Sequence, residues 1–206
     1  GSQAGYSLTT GNDNVILGFQ AGDALTVGYD NCVMGSAALS AEVEGSKNVA
    51  IGMAALSVAN AGGSDGSSTN TYNTAIGMSA GKFVSTGTNN TFIGGHSGLG
   101  ITGTRLTGDD NTCVGSMSGY VLQGAAEKNT LIGQAAGNSI TTGTENTCVG
   151  ENSDISAATG TNQTVIGRDA VGIGDNYAVI GDGDTTRVYA ADDVGATLYA
   201  GSATVS

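Results

Sequence analysis

His96 is the only histidine in the chain, and no nucleophile, base and orienting residue can be assembled around it from the sequence. The stretch that holds it, "GGHSGLG" (94–100), has the glycines of a phosphate loop but lacks the strand–loop–helix setting such a loop needs. His96 reads as a surface or rim residue, with receptor contact or ion binding on a trimer axis as the alternative. A groove that cuts polysaccharide would need paired carboxylates, and the acids here are scattered through corners and turns. "GDGDTT" (181–186) offers a metal reading, with Asp182 and Asp184 as hard oxygen ligands for Ca2+; a solvated turn suits the same residues. No other cofactor is expected. Cys32, Cys113 and Cys148 make an odd count without CxxC or Cys/His metal spacing, and read as free thiols. Catalysis is therefore not expected. Tyr29, Tyr72, Tyr120 and Arg105, with two long insertions, are the candidates for receptor contact.

What must position these residues is a repeat. "KNTLIGQAAGNSITTGTENTCVG" (128–150) states one pattern twice, seventeen residues apart. Aligned on the Gly that closes each apolar triplet, the unit recurs at Gly18, Gly35, Gly52, Gly77, Gly94, Gly115, Gly133, Gly150, Gly167 and Gly181. The steps are 17, 17, 25, 17, 21, 18, 17, 17 and 14, so the long ones are insertions, placed at 61–70 and 104–110. Residues 4–14 match residues 136–146, so the array begins mid-unit and repeat sequence is expected upstream. Gly1-Ser2 has neither an initiator Met nor signal-peptide architecture.

Each slot has a physical reading. Four before the Gly stands Asn14, Asn31, Asn48, Asn73, Asn90, Asn111, Asn129 or Asn146, a residue that tolerates the left-handed conformation of a corner. Stacked, such side chains can also form a ladder from coil to coil. The residue directly before the Gly is always aliphatic, from Leu17 to Ile180, and predicts a buried face. The residue two before it, from Ile16 to Val179, points to the opposite face and is apolar too. A strand apolar on both faces is covered on both, yet a slender solenoid has one interior, so another copy of the chain is expected on the second. Thr74, Thr91, Thr112, Thr130, Thr147 and Thr164 share the aliphatic slot's face, which suggests burial or packing between copies over binding to ice. Three after the Gly, nothing larger than Ser appears until Asp184, as a narrow interior requires. With 36 Gly and no Pro, this predicts an all-β, parallel β-solenoid of about ten coils over residues 1–181, then a capping or connector segment over 182–206.

Composition limits the partners. A net charge of −12 argues against nucleic acid and favours an exposed surface. No run of eighteen apolar residues predicts a membrane-spanning helix, so no membrane insertion is expected. The 39% of hydrophobic residues, in fixed register, exclude a disordered linker.

"NVAIGMAAL" (48–56), "NTAIGMSAG" (73–81), "NTFIGGHSG" (90–98) and "NTLIGQAAG" (129–137) resemble the Asn-x-Ala-Ile-Gly repeats of trimeric autotransporter adhesin heads. The seventeen-residue form with its "TTG" connector is more similar still to shafts of phage and virus tail fibres. The resemblance implies a left-handed β-roll with three chains about one axis. "DNYAVIGDGDTTRVYAADDVG" (175–195) resembles the segment that precedes a self-cleaving intramolecular chaperone of the peptidase S74 family. The expected function is thus a homotrimeric fibre, extracellular or on a virion, that supplies reach and binds a host glycan or protein receptor. The alternatives are the head of a bacterial trimeric adhesin and, more distantly, a solenoid depolymerase.

Overall fold

A computed structural model of the chain describes residues 1–60, 69–186 and 188. Its strands are β1 (Val15–Leu17), β2 (Cys32–Met34), β3 (Gly45–Ser46), β4 (Val49–Ile51), β5 (Thr69–Asn70), β6 (Thr74–Ile76), β7 (Thr91–Ile93), β8 (Thr112–Val114), β9 (Thr130–Ile132), β10 (Thr147–Val149), β11 (Thr164–Ile166) and β12 (Ala178–Ile180). Ten of them form one parallel sheet in the order β1-β2-β4-β6-β7-β8-β9-β10-β11-β12, while β3 pairs with β5 alone. Equivalent repeat positions face each other: Thr130 opposes Thr147, Leu131 opposes Cys148 and Ile132 opposes Val149. The chain is an all-β parallel solenoid of about nine turns, with no helix among the described residues.

The asparagines form the ladder that their stacking predicts. Asn31 Nδ2 donates to Asn14 Oδ1 at 3.0 Å and to the Gly45 carbonyl at 3.0 Å. Asn111 repeats this on Asn90 and Ala126, and Asn146 on Asn129 and Gly160. All from Asn31 to Asn146 are buried, so each polar side chain is satisfied where water cannot reach. The ladder ends at Gln163, whose backbone N–H donates to Asn146 Oδ1 while its longer amide turns aside to Ser156 and Asp175. The asparagines are not themselves the left-handed corners. That conformation falls on the residue before each of them, with φ of 55° at Asp13, 63° at Lys47, 51° at Tyr72 and 60° at Glu145. The Asn side chains point into the coil, where they bond backbone carbonyls and one another, so the left-handed turn falls one residue earlier.

The ladder also decides which strand face is the interior. Side chains alternate along a strand, so positions four and two before the Gly share one side. Val33, Ala50, Ala75, Phe92, Cys113, Leu131, Cys148 and Val165 are accordingly fully buried. The aliphatic slot directly before the Gly, expected to be the buried face, instead points outward: Leu17 is 57% exposed and Ile93 38%. Ala21, Ala38, Ala55, Ala80, Ser97, Ser118, Ala136, Ser153 and Ala170 are all buried on the inner wall, as their small size predicts, and Asp184 is exposed.

The glycine column explains how closely the coils approach. At Gly115, φ is +133°, and an added Cβ would lie 2.3 Å from the Gly133 carbonyl oxygen. A side chain is therefore excluded there by both conformation and space.

The insertions keep the register, since Val49 still opposes Thr74 and Thr91 opposes Thr112. Thr69 and Asn70 already belong to the coil, paired with Gly45 and Ser46, so the first insertion ends before them. The rest of it lies outside the described residues. The second insertion is displaced from its expected position. Residues 101–105 are exposed, whereas Leu106 is fully buried and bridges to Val84 and Gly124. Leu106 returns the chain to the core because the slot after Gly100 needs a large apolar side chain, which exposed Ile101 does not provide. Of the connector over 182–206, residues 187 and 189–206, with the Asp192-Asp193 pair, also lie outside the described residues.

Candidate functional site

Two surfaces on this rod can act on something outside it. The first is the outer face of the ten-stranded sheet. Each strand offers two outward positions, twenty in all, and none carries a charge in a chain with eighteen acidic residues. They run from Val15 and Leu17 through Thr91 and Ile93 to Ala178 and Ile180, with the six in-register threonines half-buried beside the aliphatic residues. Phe19, Met53 and Met78, just past the Gly corner, are exposed and extend the apolar surface. Charge depletion over a contiguous apolar face marks the core of an association surface.

The second surface is a corner cluster. Tyr29, Lys47 and Tyr72 belong to three successive coils. Lys47 occupies the left-handed position before Asn48, and Tyr72 the same position before Asn73. The Lys47 ammonium lies 5.6 Å from the Tyr29 ring centroid and 5.1 Å from that of Tyr72, both within cation–π range. Its Nζ donates to the Tyr72 hydroxyl at 3.2 Å, and the Tyr29 hydroxyl donates to Asn70 Oδ1 at 3.0 Å. The Tyr72 hydrogen bond holds the Lys47 pKa above the ordinary lysine value, against a smaller opposing effect of desolvation. Two of the four candidate contact residues are thus brought together, on either side of a lysine that the sequence reading missed. The signal was available, because Lys47 and Tyr72 stand in one column of the repeat.

The other candidates lie apart. Tyr120 approaches His96, with ring centroids 6.5 Å apart, and His96 is half-buried at a left-handed corner with φ of 59°. Arg105 is exposed at the end of the 101–105 bulge. Asp182 Oδ1 accepts from Asp184 N–H at 3.1 Å and from Thr185 Oγ1 at 3.0 Å, so this carboxylate closes its own turn. The Thr185 bond, with that from Asp184, keeps the Asp182 pKa below the usual range. Among the described residues no group of three His, Cys, Asp or Glu is placed to hold a metal ion.

All three cysteines are free: Cys113 and Cys148 are buried in the inward column, while Cys32 is half-buried on the outer face. Burial raises the Cys113 thiol pKa far above its ordinary value and that of Cys148 to about 12. Comparison with protein-family models, with curated proteins and with solved structures returns no match for this chain.

Proposed function

We propose that this chain is a shaft segment of a homotrimeric fibre, of the kind found on phage or virus tails, that supplies reach and attachment to a host surface without catalysis. The observation that carries the reading is the uncharged outer face of the sheet. Ten strands about 4.8 Å apart make it about 43 Å long, and three residues across make it about 10 Å wide. Its projected area of roughly 430 Å² is about half of the about 800 Å² that each partner contributes to a standard interface. The side chains stand out from that plane, so the accessible area is larger. Every strand presents the same slot pattern, so a copy of the chain meets matching chemistry along the whole rod. Extracellular placement follows from that role.

Sedimentation of the purified chain tests this, with a trimer as the expected result. Ile93→Asp combined with Ile132→Asp puts two charges on the outer face and none in the core, and is expected to give folded monomers. A wild-type chain that is a stable, folded monomer refutes the fibre reading.

The half-buried threonine ladder from Thr74 to Thr164 favours a second reading, in which a flat Thr–aliphatic face binds ice. A monomer that inhibits ice growth would establish it in place of the first.

A further inference from the structure

We propose that Tyr29, Lys47 and Tyr72 form a ledge that binds a saccharide bearing a carboxylate, with Lys47 pairing the acid and the tyrosine rings taking the apolar faces of the sugar rings. This inference rests on the attachment part of the function proposed above.

The argument begins with charge. Five of the six cationic residues lie among those described, and Lys128 and Arg168 are paired with the adjacent Glu127 and Asp169. Lys47, Lys82 and Arg105 have no carboxylate within ion-pair distance among the described residues, and Asp30, in the same slot one coil before Lys47, acts on it only weakly through charge. The Lys47 ammonium is held instead by two aromatic rings and one hydroxyl. An ammonium has three N–H donors, so the bond to Tyr72 leaves two for a ligand. A carboxylate is the acceptor that gains most from them, because both partners are then charged.

The surroundings select the rest of the ligand. The Lys47 ammonium lies 5.6 Å from the Tyr29 ring centroid and 5.1 Å from that of Tyr72, so both rings flank it within the span of one or two sugar rings. Tyr72 is 49% exposed, so its ring is open to a flat partner. Pyranose rings present C–H faces to aromatic rings and hydroxyls at their edges, where the Tyr29 hydroxyl and Asn70 are placed to meet them. Asn89 fills the same slot in the next coil, at φ 56°, so asparagine is compatible with this turn. In a trimer the ledge would occur three times, and avidity would strengthen weak single contacts.

The same slot supplies substitutions that the fold accepts: Lys47→Asn and Tyr72→Asn each install the residue found at Asn89. Calorimetry with oligogalacturonate, 3′-sialyllactose and the methyl ester of each separates the carboxylate from the sugar. The wild-type protein is expected to bind at least one acid form and to bind its ester at least about tenfold more weakly, a difference of about 1.4 kcal/mol. Lys47→Asn should abolish that preference, and Tyr72→Asn should weaken acid and ester alike. Binding of neither acid, equal binding of acid and ester, or an unchanged preference in Lys47→Asn overturns the proposal. Sedimentation of the same samples separates the two readings. A trimer without acid-dependent binding removes the ledge alone, and a monomer with Lys47-dependent binding removes the shaft alone.

Discussion

Replacing Asn129 with alanine removes four hydrogen bonds from the middle of the ladder. Asn129 Nδ2 donates to Asn111 Oδ1 at 3.0 Å and to the Gly143 carbonyl at 2.8 Å. Its Oδ1 accepts from Asn146 N–H at 3.1 Å and from Asn146 Nδ2 at 3.1 Å. Not every lost bond leaves an orphan. Asn111 Oδ1 still accepts from the Asn129 backbone N–H, and Asn146 Nδ2 still donates to Gly160. The Gly143 carbonyl and the Asn146 backbone N–H are left with no partner. A buried group without a partner costs about 1–3 kcal/mol, so the expected loss is about 2–6 kcal/mol. In a solenoid each coil contacts only its neighbours, so this loss is local.

Amide hydrogen exchange is therefore the suitable assay, with Thr130–Ile132 and Thr147–Val149 as reporters and Cys32–Met34 as the distant control. A loss of 2 kcal/mol corresponds to exchange about 30-fold faster at the reporters, with the control unchanged. A change below about fivefold at the reporters, or an equal change at the control, would refute the claim that the ladder holds neighbouring coils together.

Two further outcomes can be checked directly. In folded monomers of the Ile93→Asp/Ile132→Asp protein, a thiol reagent should modify Cys32 but neither Cys113 nor Cys148, because only thiolates react and burial keeps the latter two protonated. In the assembled wild-type protein Cys32 should be protected as well, and peptide mapping that finds it fully labelled there would contradict coverage of the outer face. The second outcome concerns Asp154, whose pKa burial raises above the ordinary aspartate value, with hydrogen bonds from Ser139 and Ile155 opposing. The folded chain then binds this proton more tightly than the unfolded chain, so the Asp154 contribution to stability falls as pH rises from the ordinary carboxylate range to the raised pKa. Denaturation of wild-type and Asp154→Asn proteins across that window should move the difference in favour of the variant as pH rises, with a plateau above it; the opposite slope would contradict the burial argument.

Much of the fold was legible because a repeat reports each slot ten times. The Ala and Ser slot three after the Gly identified a narrow inner wall, and those residues are buried from Ala21 to Ala170. The errors arose where one residue type suits two roles. Asn tolerates a left-handed corner and also makes a ladder, so composition favoured the corner, while φ places it at Asp13, Lys47 and Tyr72. Once Asn is known to point inward, alternation alone assigns Val33 to the interior and Met34 to the outside. The 101–105 bulge was misplaced because Ile101 and Leu106 are equally apolar, and only packing selects Leu106 for the core.

The sequence by itself determined the coil length, the parallel stacking of equivalent positions and the requirement for glycine, because these depend on local conformation and on periodicity. The tertiary structure alone decided which apolar face is interior and which Tyr residues share a surface with Lys47. Both depend on side-chain direction and on contacts between coils, and residues 25 apart in the chain, such as Lys47 and Tyr72, meet only when the coils are stacked.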